Sequence, residues 1–161
     1  MNNNEYINAV KRNSKRIYLI AFSYLKNQHD AEDVLQDVFL KLWKSKKEFD
    51  SDDHIDKWLT INCISRCRDF FRLPFFNKEI SYEDISDECS FDCSKQVDVF
   101  NSIMSLPQKE RLIIHLFYYE DMSINDIAQL LKIKASTVKT RLRRARIHLK
   151  EDLGDDWTDE Q

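Results

Sequence analysis

Glycine and proline are almost missing from this chain, with one glycine, Gly154, and two prolines, Pro74 and Pro107, in 161 residues. Sandwiches and barrels draw on both for their turns, so an all-β architecture is excluded and helices become the default. Long apolar runs are missing too. Nothing approaches the roughly 18 consecutive apolar residues of a membrane span, and the opening MNNNEYINAVKRNSKR lacks the apolar core of a signal peptide. A cytoplasmic location without membrane insertion is therefore expected. The four cysteines form two pairs at i, i+4 spacing, Cys63 with Cys67 and Cys89 with Cys93. Such spacing puts two sulfurs on one helix face, but the usual zinc pair has two residues between its cysteines and a tight turn, and a reducing cytosol keeps thiols free. Buried or idle thiols are the better reading, with no metal and no cofactor. The histidines, His29, His54, His115 and His148, are scattered, and no nucleophile has a neighbouring base, so no catalytic residue is expected.

A formal net charge of −3 argues against nucleic acid as a partner until the distribution is read. From Lys132 to Lys150 there are eight lysines or arginines and no acid, whereas Glu79 to Asp98 holds seven acids against Lys95. Screening limits each charge to roughly 8 Å at physiological salt, so a local basic face binds phosphate on an acidic molecule.

With 42% hydrophobic residues the chain can bury one ordinary core or two small ones. Residues 17 to 43 carry apolar side chains at helical intervals, from Ile17, Ile20, Ala21, Tyr24 and Leu25 to Ala31, Val34, Leu35, Val38, Phe39, Leu42 and Trp43. Two helices joined near Lys26 to Asp30 are expected, with Asp30 as the cap of the second. Ser45 to Asp53 reads as a polar loop, and a helix from about His54 to Arg72 runs through Trp58, Leu59, Ile61, Ile64 and Phe70 until Pro74 ends it. Between Pro74 and Gln96 the period is lost and acids and serines accumulate, which reads as a solvated tether.

In the second half a helix over Val97 to Leu106 stops at Pro107, and another covers Gln108 to Tyr119. Ser123 followed three residues later by Asp126 is a capping signature for a short helix through Leu131. A tight turn at Lys132 to Lys134 then leads into a helix whose one apolar stripe, Val138, Leu142, Ala145 and Leu149, is surrounded by basic residues. Two short helices about a three-residue turn, with small Ala128 at the crossing, make a helix-turn-helix. Its second helix presents Ser136, Thr137, Lys139, Thr140, Arg141, Arg143, Arg144 and Arg146, chemistry suited to phosphates and base edges in a major groove. A solvated basic helix would explain the charges, but not the capped helix and turn ahead of them.

Together the two halves resemble a sigma-70 family RNA polymerase sigma factor of the extracytoplasmic-function (ECF) group, which keeps only the second and fourth conserved regions. The resemblance rests on Ala31-Glu32-Asp33 with Gln36 to Leu40, on Trp58-Leu59 with Asp69 and Arg72, on Leu106-Pro107 with Arg111, on Asp126-Ile127-Ala128, and on Thr137-Val138-Lys139 through Arg146 and Leu149. It covers nearly the whole chain. The implied fold is all-α, with two small helical domains: region 2 over residues 1–73, an acidic linker over 74–96, the region 4 helix-turn-helix over 97–153 and an acidic tail over 154–161.

The resemblance also implies the partners. Asp33, Gln36, Asp37, Phe39 and Leu40 would meet core RNA polymerase at its β′ clamp helices, with the β flap as a further polymerase contact. Lys57, Arg66, Arg68, Asp69 and Arg72 would meet the −10 element, with one base flipped into a pocket under the 45–53 loop. Lys134, Ser136, Thr137, Lys139, Thr140, Arg141, Arg143 and Arg144 would meet the −35 element. An anti-sigma partner is expected as well. Three positions depart from the family pattern: Ser65 replaces an Asn, Lys132 a Gly in the turn, and Lys134 a Ser cap. Trp58 is assigned to the core rather than to base stacking. The rival from another class is a stand-alone helix-turn-helix regulator, which would have no use for the 31–40 segment; an enzyme with an appended DNA-binding domain finds no catalytic group to support it.

Overall fold

Residues 2–72 and 94–154 are described by the computed structural model, with side chains from 2–70 and 98–154. The expected linker and tail, with Cys89 and Cys93, lie almost wholly outside these ranges, as does the Arg72 side chain. The chain divides into two units, Met1–Glu79 and Ile80–Gln161, and every described element is a helix or a connection between helices.

The first unit packs α1 (Asn3–Leu25), α2 (Gln28–Lys44) and α3 (Asp52–Arg72) against one another. Helix α1 starts fourteen residues ahead of the apolar pattern that signals it, because a capping box sets its origin. The Asn2 side chain accepts from the Glu5 amide at 2.8 Å while the Glu5 carboxylate accepts from the Asn2 amide at 2.9 Å. Its early turns are held to α3 by polar groups. Asn13, 1% exposed, donates to Asp56 at 2.8 Å; Arg16 donates to Asn13 at 2.9 Å and to the Thr60 hydroxyl at 2.6 Å. Arg12 completes the clamp on Asp56 and Asp52 at 2.8 Å each. The cap of α2 is Asn27, whose side chain accepts from the Asp30 amide at 3.0 Å, so Asp30 lies inside the first turn rather than at the cap. Ser51 starts α3 by accepting from the His54 amide at 3.2 Å.

Ile17, Ile20, Ala21, Val34, Val38, Leu42, Leu59, Ile64 and Phe70 fill the core between the three helices. Cys63 and Cys67 are buried free thiols, and Cys63 donates to the Ile17 carbonyl at 3.7 Å. They pack, as expected, and among the described residues no cluster of metal-ligating side chains forms.

The second unit contains α4 (Ser94–Ser105), α5 (Gln108–Ile114) continuing into a π-helical turn (His115–Tyr119), α6 (Ile124–Leu131) and α7 (Ala135–Leu153). Arg111 is buried and donates to the Leu106 carbonyl at 2.9 Å, satisfying an orphaned acceptor at the end of α4. The π turn closes through Glu120 N to His115 O at 3.3 Å and is followed by Asp121 at φ 50°. Ser123 caps α6, accepting from the Asp126 amide at 3.1 Å and donating to its carboxylate at 2.7 Å. Ile127, Leu131, Val138, Leu142, Ala145 and Leu149 join α6 and α7 to the Ile113 and Leu116 side of the unit.

Candidate polymerase and nucleic-acid interfaces

The turn between α6 and α7 fixes where the basic helix points. Lys132 adopts the left-handed conformation, φ 55° and ψ 44°. The Ile133 amide donates to Ala128 O at 3.0 Å and the Lys132 amide to Gln129 O at 3.3 Å, the two bonds of a Schellman motif. Lys134 keeps the cap position of α7 in an extended conformation with no side-chain cap bond, and Ser136 sits inside the helix. With Val138, Leu142, Ala145 and Leu149 turned inward, Lys134, Ser136, Lys139, Thr140, Arg143 and Arg144 are exposed and Thr137 and Arg141 half-buried. The Thr140 hydroxyl donates to Ser136 O at 2.9 Å. Arg146 leaves the expected outward set. Its Nε donates to the Tyr118 hydroxyl at 2.9 Å, and its guanidinium lies 5.6 Å from the Phe117 ring centre.

On α2 the acidic face forms as expected for Asp33 and Gln36, both exposed, and Leu40 is 51% exposed. Phe39 does not share that face. At 6% exposed it is a core residue, because its position on the helix coincides with the Val38 and Leu42 stripe. Trp43, expected on the inner face, is instead 52% exposed and meets Tyr6 edge-to-face at 4.9 Å. Burial raises the pKa of the Asp30 carboxyl, with Asp33 adding to the effect and His29 opposing it.

The −10 set is dispersed around α3. Lys57 and Asp69 are exposed. Arg66 is half-buried and its Nε binds Asp37 Oδ2 on α2 at 2.7 Å, joining two residues assigned to separate contacts. Its guanidinium also lies 4.9 Å from the Phe70 ring centre. Arg68 points to α1, where it interacts with the Tyr24 hydroxyl; burial raises the Tyr24 pKa and Arg68 partly offsets that rise. In the 45–51 connection Phe49 packs edge-to-face on both His54, at 5.3 Å, and Trp58, at 5.8 Å. Trp58 is thus half-buried under the loop rather than sealed in the core. Ile61, taken as part of the apolar face, is 54% exposed.

Between α2 and α3 lies an open groove of about 470 Å³ lined by Asp37, Leu40, Lys41, Lys44, Ser65 and Arg66 among others. Sequence reasoning missed Lys41 and Lys44. Their spacing from Asp37, four and seven residues on, already placed them on one helix face.

Comparison with known proteins agrees in both halves. The family model for Sigma-70 region 2 matches residues 9–73 and that for Sigma-70, region 4 matches residues 98–149. The RNA polymerase sigma factor SigV of Bacillus subtilis (strain 168) is 31% identical over 154 residues, covering 91% of this chain and 93% of the relative. The chain belongs to the sigma-70 family, in its ECF group. The ECF sigma factor SigW of the same organism is 26% identical to this sigma factor over 157 residues, covering 87% of this chain and 84% of that one. Among solved structures, the sigma factor RpoE in complex with the anti-sigma factor NepR from Bartonella quintana matches with a TM-score of 0.74 at 22% identity, over 95% of this chain and 99% of that one. CnrH in complex with the cytosolic domain of CnrY matches with a TM-score of 0.63 at 23% identity, over 97% and 92%. At these identities the structures speak for the fold.

Proposed function

We propose that this sigma factor binds bacterial core RNA polymerase through the exposed acidic face of α2, carried by Asp33, Gln36, Asp37 and Leu40, and delivers it to promoters. Region 4 reads the −35 element in the major groove with α7, from Lys134 to Arg144. Region 2 takes the −10 element with Lys57, Arg66 and the surface around Asp69, while Arg68 contributes by holding α3 against Tyr24. The catalysis of RNA synthesis belongs to the polymerase, and the factor acts in the cytoplasm.

The observation that carries this reading is the α6–α7 geometry: a capped helix and a Schellman turn support a helix whose apolar stripe is buried while Lys139, Arg143 and Arg144 face solvent. Cations so presented bind phosphate regardless of the net charge of the chain. An anti-sigma partner is part of the proposal, supported by the solved sigma factor RpoE, which is held in complex with the anti-sigma factor NepR.

The test is run-off transcription with purified chain and bacterial core polymerase on templates carrying a library of upstream sequences. Defined transcripts that require the chain are expected. DNA binding without initiation would support a stand-alone regulator instead, and metal-dependent DNA cleavage by the chain alone would overturn the non-catalytic reading.

A further inference from the structure

Helix α1 is held to the first unit by two different kinds of contact. From Ile17 onward it is anchored in the core by Ile17, Ile20, Ala21 and Leu25. Ahead of Ile17 its buried residues are Ala9 and Asn13, and so little apolar surface cannot fix a helix by the hydrophobic effect. A ladder of polar groups does that work instead. Arg12, Asn13 and Arg16 meet Asp52, Asp56 and Thr60, which recur every four residues along one face of α3. Asp56 is the central rung. Its Oδ1 accepts from both Arg12 and Asn13 at 2.8 Å, and its carbonyl accepts from Arg16 at 3.5 Å.

The Arg12 side chain is 35% exposed and that of Asp56 29%, so water and salt reach the pair and its hold weakens as ionic strength rises. Tyr6 adds an edge-to-face contact at 4.9 Å, but on Trp43, which is itself 52% exposed. Off the bundle the segment would not persist as a helix, because isolated helices shorter than about 12–15 residues are marginal in water. We propose that residues 3–15 form a strap that opens as one cooperative segment, with the ladder centred on Asp56 as its latch, while the Ile17–Leu25 half of α1 stays in the core. Release lifts Tyr6 from Trp43 and from the Phe39 carbonyl, which its hydroxyl meets at 3.4 Å. The surface of α2 then changes while the three-helix core stays closed. The strap answers to ionic strength and depends on no assignment of partner or promoter.

Hydrogen exchange of the full chain, read by mass spectrometry, measures the opening of the two halves of α1 separately. Amides of residues 7–15 are expected to exchange about tenfold or more faster than those of 21–25, with a step between the two groups rather than a gradient from the helix end. Raising NaCl from about 0.05 to 0.5 M should speed exchange in 7–15 by about two- to fivefold and leave 21–25 unchanged. Asp56→Asn should speed 7–15 by about tenfold at low salt, the cost of losing hydrogen bonds to a charged acceptor. Asp53 is exposed in the first turn of α3, and Asp53→Asn, the same charge change, should alter exchange in 7–15 by less than about twofold. The salt series uses the unaltered chain and therefore decides the matter even where a variant folds poorly. A single rate along the whole of α1, a smooth gradient indifferent to salt, or equal gains from Asp53→Asn and Asp56→Asn would overturn the strap.

Discussion

Replacing Lys132 by glycine should make the second unit more stable, although it removes a side chain and inserts a residue that ordinarily weakens folds. Lys132 stands at φ 55°, where the β-carbon of an L-residue crowds the following carbonyl. That conformation costs on the order of 1–2 kcal/mol. Glycine removes the crowding but gives the unfolded chain more freedom, which offsets about 0.5–1 kcal/mol. The two turn hydrogen bonds run through the backbone of residues 128, 129, 132 and 133 and survive the change, and Lys132 is exposed, so no packing is lost. A net gain of roughly 0.5–1 kcal/mol remains, which for a unit of this size raises Tm by about 3–6 °C. Calorimetry of the full chain should show the region 4 transition move while that of region 2 stays. Lys132→Ala, which deletes the charge but keeps the β-carbon, separates the causes and should show no gain. A lower Tm for Lys132→Gly, or an equal rise for Lys132→Ala, would refute the argument that backbone crowding sets the balance.

Two further outcomes follow from individual side chains. Arg141→Ala should weaken binding to the cognate −35 element by about 1–3 kcal/mol if its side chain reads a base; gel-shift titrations showing an equal loss on random duplex would reduce it to a phosphate contact. Tyr24 has its pKa raised in the folded chain by burial, above its ordinary value of 10.0. The unfolded chain therefore loses this proton first, and the stability of region 2 should fall as pH rises past about 10. Urea unfolding of Tyr24→Phe on the alkaline side should show a shallower decline than the parent, and an unchanged slope would assign the decline to other groups.

The helix-turn-helix was legible in the sequence because its signals are local. Ser123 and Asp126 cap within one turn, the apolar positions of α7 recur at helical spacing, and Lys132 occupies the turn position where the backbone must turn left-handed. The first fourteen residues of α1 were missed for the opposite reason: Asn13 and Arg16 occupy the inner face and find Asp56 and Thr60 more than forty residues on. A polar interface of this kind leaves no hydrophobic period to read. The capping box of Asn2 and Glu5 was the available signal. Charge counts misled in a similar way. Arg66, Arg68 and Arg146 each looked available for nucleic acid, and each meets a partner supplied by another helix: Asp37, Tyr24 and Tyr118. Residue type gives a cation its reach, but its neighbours decide what it holds.

That distinction determines which substitution can isolate the polymerase contact. Asp37→Arg looks suitable, since it reverses a charge on the α2 face, yet it would also set two guanidiniums against each other where Asp37 and Arg66 now lie 2.7 Å apart. Any loss of transcription would then mix a failed docking with a disturbed groove. Asp33 lies one turn earlier on the same helix, is exposed, and is not among the residues lining the groove. Asp33→Arg should therefore weaken capture of core polymerase, by roughly 1–3 kcal/mol if the carboxylate meets a cation in a dry interface, and leave single-strand affinity within about twofold, since the added charge lies outside the groove and is screened. Pull-down with core polymerase and strand titration on the same preparation measure the two quantities side by side. A variant that retains polymerase in full would remove Asp33 from the docking face, and one that loses both together would show that the α2 face and the α2–α3 groove are a single surface.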